Sequence, residues 1–135
     1  MRERPRVLLV GDDEARMTHL RDALGRCAHV TQAEDIPQAL SLLSQRGFEA
    51  VFCDWRFHCG TWREALERIG ALYPDLPVVV VSQTHGIEEG IDEWAQVVAA
   101  GAFDLLLSAR SESAALSLLE HALASGEARA MRATA

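Results

Sequence analysis

The chain contains no lysine: all 13 basic residues are arginine, against 20 acidic residues, for a net charge of −7 over 135 residues. An acidic chain without a basic block cannot neutralise a phosphate backbone, which excludes a nucleic-acid binder. Long hydrophobic runs are also missing. The longest, Leu76 to Val81, falls far short of the roughly 20 residues that span a bilayer. The start, Met1 to Arg6, is charged and leads straight into a strand-like segment, so no secretory leader is expected there. Three cysteines, Cys27, Cys53 and Cys59, form neither a CxxC nor an even framework. Their pattern predicts a reducing, cytoplasmic setting. What is present is ordinary: 49% hydrophobic and 24% charged residues, a composition and length that suit one globular domain with a full core.

Two kinds of segment alternate along the chain. Unbroken apolar runs occur at Val7–Val10, Ala50–Cys53, Pro77–Val81 and Phe103–Leu107, as expected of strands buried on both faces. The partly polar His29–Ala33 reads as an edge strand. Between them lie segments of helical period. Met17, Leu20 and Leu24 mark the first, and Ile36, Ala39, Leu40 and Leu43 the second, with Asp35 as cap and Pro37 in its first turn. The third, with Thr61 as its expected cap, presents Trp62, Leu66, Ile69 and Leu72 and stops near Pro74. Ile91, Ala95 and Val98 mark the fourth, ended by Gly101. The fifth opens at Ser111 or Ser113 and buries Ala115, Leu116, Leu119 and Leu123, ending at Gly126. Residues 1–126 thus predict one α/β domain, a doubly wound, five-stranded parallel sheet with five helices. Residues 127–135, small and polar, predict a disordered tail.

In such sheets the functional site lies beyond the carboxyl ends of the strands. Gly11, Asp12, Asp13 and Glu14 follow the first run, Asp54, Trp55 and Arg56 the third, Ser82 to Gly86 the fourth, and Ser108 to Arg110 the fifth. Carboxylates converging with a hydroxyl suit Mg²⁺ and a phosphoryl group, because hard oxygen ligands hold the cation and the hydroxyl donates to the transferred group. The spacing of Asp54, His58, Cys59 and His85 fits no structural zinc pattern. No GxGxxG follows the first run, which argues against a dinucleotide enzyme.

The segments Val7 to Glu14, Val51 to Trp55, Val79 to Gln83 and Gly101 to Ser108 resemble, in order and spacing, the receiver domain of bacterial response regulators, with its flavodoxin-like, chemotaxis-regulator topology. The resemblance covers residues 5 to about 124. It implies a signalling module in a phosphorelay, not an enzyme. Asp54 stands at the phosphoacceptor position, where the resemblance implies in-line attack of its carboxylate on the phosphohistidine of a histidine kinase or phosphotransfer protein, forming an acyl phosphate and releasing the histidine. Ser82 matches the hydroxyl that contacts the phosphoryl group. Mg²⁺ would be held by Asp12, Asp54 and the backbone carbonyl of Arg56. A one-residue slip would exchange Asp12 with Asp13, which otherwise reads as a loop acid or helix cap, with Glu14 a first-turn acid.

Four departures mark an atypical member. Gly11 stands where the first acid of the metal-binding pair belongs, and Ser108 replaces the phosphate-contacting lysine. Leu105 replaces the aromatic switch residue, and Phe57-His58 the usual Met-Pro. Arg56, two residues past the acceptor, offers a guanidinium that could stand in for the lysine, and Thr84 flanks the same entrance. Two readings stay open. One is a phosphoacceptor switch with a weakened Mg²⁺ site. The other is a pseudo-receiver, which keeps the fold as an interaction or dimerisation module without phosphotransfer. In either, the output face is the fourth helix, fifth strand and fifth helix, with acids Glu88, Glu89, Asp92 and Glu93 calling for a basic protein partner or a second copy, and no membrane.

Overall fold

The computed structural model describes residues 4–83 and 87–134, with the backbone alone for residues 87 and 127–134. Its strands are β1 (Arg6–Val10), β2 (His29–Ala33), β3 (Ala50–Asp54), β4 (Arg56–Phe57), β5 (Gly60–Thr61), β6 (Val78–Val81) and β7 (Asp104–Leu106). Its helices are α1 (Glu14–Leu24), α2 (Ile36–Gln45), α3 (Trp62–Leu72), α4 (Ile87–Ala99) and α5 (Glu112–Thr134). Five strands form one parallel sheet in the order β2-β1-β3-β6-β7, and β4 pairs β5 in a separate antiparallel hairpin. The polar His29–Ala33 segment is indeed an edge strand.

Successive residues of a strand face opposite sides, and here both sides are dry. Leu8, Val10, Val51, Cys53, Val78, Val80 and Leu105 pack with α2 and α3 on one face. Val7, Leu9, Ala50, Phe52, Val79, Val81 and Leu106 meet Met17, Leu20 and Leu24 of α1 and Ala115, Leu119 and Ala122 of α5 on the other. Burying each such large side chain contributes roughly 1.5–3 kcal/mol. In register, Val10 lies beside Cys53 and Asp54 beside Val81, so the carboxyl ends of β1, β3 and β6 are level. That level edge carries Gly11, Asp54 and Ser82.

Helix α2 starts as expected: Asp35 accepts from the Gln38 N–H at 2.9 Å, with proline in the first turn. Several expectations need correction. The hairpin β4–β5 follows Asp54 where only a loop was foreseen, because strands of two residues leave no periodicity to read. Thr61 does precede α3, but its side chain makes no cap hydrogen bond. Leu72 is exposed and Ala65 is buried in its place, since the helix ends there, beyond the sheet's edge. On α4, Ile91, Ala95 and Val98 face solvent, whereas Gly90, Glu93 and Val97 face inward. Leu116 and Leu123 are only half-buried. Helix α5 runs through Gly126 to Thr134. One internal glycine costs only about 1 kcal/mol, and the alanines, glutamate and arginines that follow are good helix formers. Among the described residues, no helix is long and apolar enough to cross a membrane.

Candidate functional site

Asp54 ends β3, where the sheet stops and its carboxylate clears the last row of side chains. It is 3% exposed. The Trp55 N–H donates to its Oδ1 at 2.9 Å. The other partner is one the sequence reading missed: Arg16. Its Nη2 donates to Asp54 Oδ1 at 2.8 Å and its Nε to Oδ2 at 3.3 Å, while Nη2 also reaches the Ser82 carbonyl at 2.6 Å. One guanidinium therefore engages both carboxylate oxygens and ties the end of β3 to the end of β6. Paired two-point bonds of this kind are the strong, orientation-fixing form of the ion pair.

Local folding explains the reach. Asp13 caps α1, its carboxylate accepting from the Arg16 N–H at 3.2 Å, which places Arg16 at the third helical position. Helical side chains tilt toward the N-terminus of their helix, and the N-terminus of α1 overhangs the sheet edge. Arg16 therefore points back at Asp54. Met17, the next residue, is fully buried against Gly11. A Cβ at Gly11 would stand 2.6 Å from Met17 Sδ and 3.2 Å from Asp54 Cβ. The absent acid at position 11 is thus matched by a packed methionine.

Ser82 is a junction. Its N–H donates to the Leu106 carbonyl at 2.8 Å, its carbonyl accepts from Arg16, and its hydroxyl donates to Glu93 Oε1 of α4. Glu93, expected on an acidic outer surface, is buried beside it. This corrects the surface reading, for the Ser82 hydroxyl gives Glu93 a hydrogen bond inside.

The remaining candidates sit further out. Asp12, Asp13 and Arg56 are exposed at the rim of a cleft of about 460 Å³ that is floored by Asp54 and Arg16. Arg56 lies on β4 opposite Thr61; the guanidinium on the acceptor position is Arg16's, not its own. Ser108 is exposed, accepting the Arg110 N–H at its hydroxyl, 3.3 Å away. Leu105 is buried in the core. Thr84 and His85 lie outside the described residues. His58 Nε2 and Cys59 Sγ are 3.4 Å apart, but no three His, Cys, Asp or Glu side chains gather among the described residues. The larger cavity, about 530 Å³, lies at the opposite end of the sheet, by Phe48, Tyr73 and Leu123, away from this chemistry.

The donor set of this arrangement does not fit a divalent cation. Gly11 supplies no carboxylate, Asp12 is at the rim, and a positive group already occupies both oxygens of Asp54. Beside Asp54, burial pushes the Cys53 thiol well above the usual thiol range, and the neighbouring carboxylate adds to the rise.

Comparison with known proteins agrees with this fold. The family model described as the response regulator receiver domain matches residues 7–118. The transcriptional regulatory protein ZraR of Escherichia coli O157:H7 is 30% identical over 119 residues, covering 87% of this chain and 26% of that protein. The chain thus spans about a quarter of the curated relative it matches. Among solved structures, NtrX of Brucella abortus superposes with a TM-score of 0.86 at 21% identity, over 98% of this chain and 29% of that one. The chemotaxis response regulator CheY4 of Vibrio cholerae gives 0.75 at 19% identity, over 90% of this chain and 100% of that one.

Proposed function

The chain belongs to the response regulator receiver family of two-component signalling, and from that premise we propose that it is a pseudo-receiver, signalling without phosphorylation of Asp54. One observation carries the reading: the Arg16 guanidinium bonds both oxygens of the acceptor carboxylate. Phosphoryl transfer to an aspartate needs an oxygen lone pair free for in-line attack and a cation that neutralises the incoming phosphoryl oxygens. Arg16 takes a lone pair on each oxygen, holds the carboxylate in one orientation and spends its charge on the nucleophile. With Gly11 and Ser108 in place of an acid and a lysine, the only other fixed cation lining this cleft among the described residues is Arg56, exposed at its rim.

What remains is a fixed surface. Ile91, Trp94 and Val98 of α4 and Leu107 beyond β7 are exposed apolar groups, bordered by exposed Glu88, Glu89 and Asp92. A protein partner with an apolar centre and a basic rim fits this face. A second copy would set the same acids against each other, a like-charge arrangement that is costly.

The competing reading is the phosphoacceptor receiver, with Asp54 as nucleophile, Ser82 as hydroxyl donor and Mg²⁺ on Asp12, Asp54 and the Arg56 carbonyl, served by a histidine kinase or phosphotransfer protein. The cleft over Asp54 favours it, but Arg16 would first have to leave. Intact mass after incubation with a small-molecule phosphodonor and Mg²⁺ decides between them. The wild-type chain should gain no phosphate increment. Arg16→Met, which removes the charge, should expose Asp54 and change the emission of the adjacent Trp55, yet gain neither an Mg²⁺ response nor the phosphate increment while position 11 lacks an acid. Stoichiometric labelling of the wild type at Asp54 would overturn the proposal.

A further inference from the structure

We infer that Glu93 is a positioning residue that couples the Asp54 site to α4, through Ser82. The inference goes beyond the pseudo-receiver reading and does not depend on it. Its basis is a continuous chain of hydrogen bonds, from the Asp54 carboxylate to Arg16, from Arg16 to the Ser82 carbonyl, and from the Ser82 hydroxyl to Glu93.

The inward face of α4 makes this chain consequential. An amphipathic helix normally docks by an apolar stripe. Here the large apolar residues Ile91, Trp94 and Val98 point outward, while Gly90, Glu93 and Val97 point in. Among the described inward side chains of α4, Gly90 and Val97 offer little apolar area to hold the helix down. A carboxylate placed in a dry interface stays there only if it is hydrogen-bonded, and the Ser82 hydroxyl supplies such a bond. Ser82 is itself held from two further sides, by Leu106 of β7 and by Arg16. The position of α4 is therefore set by a polar contact whose other end is the candidate site. A change in Arg16 or Asp54 reaches α4 through Ser82, without the aromatic ring at position 105 that the family resemblance leads one to expect.

Hydrogen exchange of the full chain, read on segment 87–99, tests this. Glu93→Ala and Ser82→Ala should each speed α4 exchange about fivefold, the scale of one buried hydrogen bond. Glu93→Gln, whose amide oxygen accepts the same bond, should stay near wild type. Arg16→Met should also speed α4, and combining it with Glu93→Ala should add nothing to Glu93→Ala alone. Helices α2 and α3 serve as internal controls and should not change. If Glu93→Ala fails to fold, Ser82→Ala, which removes only a hydroxyl, carries the same comparison with Arg16→Met. The inference is overturned if α4 exchange is unmoved by Ser82→Ala or Arg16→Met, if the double variant shows the full product of the two single effects, or if α2 and α3 loosen equally.

Discussion

An arginine in the first turn of a helix works against the helix dipole, whose positive end lies there. Arg16 holds such a place in α1, and Asp54 is the group that compensates for it. That tension was the signal available in the sequence: a lysine-free chain with a cation one turn past its acidic pair. It went unread because whether Arg16 points to solvent or to Asp54 depends on how α1 overhangs the sheet, which periodicity does not encode. Asp54, Ser82 and the capping Asp13 were legible, since each directly follows or precedes a recognisable element. Glu93 was not, because an acid amid acids on a surface-like helix looks solvated. At this scale the cysteines give a direct check. Cys27 and Cys59 are exposed and Cys53 is buried with its thiol pKa raised. A disulfide reagent should label the first two in the folded chain and reach Cys53 only after denaturation. The sign of the pH effect follows. As pH climbs past the ordinary thiol range, the unfolded chain loses a proton that folded Cys53 retains. Its contribution to stability therefore falls with rising pH, by up to about 1.4 kcal/mol per unit, seen as a declining urea midpoint that Cys53→Ala flattens.

Elements were easier to read than their faces. Each of the five long strands and five helices has a period or an apolar run of its own, so its existence followed from local chemistry. Which side of α4 faces inward did not, because its large apolar residues Ile91, Trp94 and Val98 lie on the exposed side while Glu93 is buried on Ser82. The end of α4 is better determined. Gly101 has φ +100, its N–H donates to the Val98 carbonyl and the Ala102 N–H to that of Val97, closing the helix in a left-handed cap. A Cβ there would meet nothing within 4 Å, so the cost of Gly101→Ala is conformational alone. It should be about 1–2 kcal/mol, read as a lowered denaturation midpoint with an unchanged slope. At Gly126, inside α5, a stop was expected and none occurs: a glycine ends a helix only when the residues beyond it cannot continue one.

For the molecule as a whole, the core and the proposed partner face are different surfaces. The two faces of the sheet bury the core, whereas Ile91, Val98 and Leu107 are 61%, 40% and 60% exposed. Ile91→Gln and Val98→Gln should therefore change the melting free energy by less than about 0.5 kcal/mol, while the proposed partner face predicts that a basic amphipathic peptide is retained by the wild-type chain and not by the double variant. A matched loss of stability, seen in a thermal melt, would show the patch to be core instead. Gly11 bears on the candidate site. Its missing side chain is filled by Met17, whose neighbour Arg16 holds Asp54. An acid returned to position 11 alone would need the flexible end of Met17 to shift and would still find Asp54 held by Arg16. Arg16 removed alone would leave one acid too few to rebuild the family's metal-binding pair. Positions 11 and 16 thus act on one carboxylate from two sides, so on the proposed reading a single substitution at either leaves the other obstacle in place.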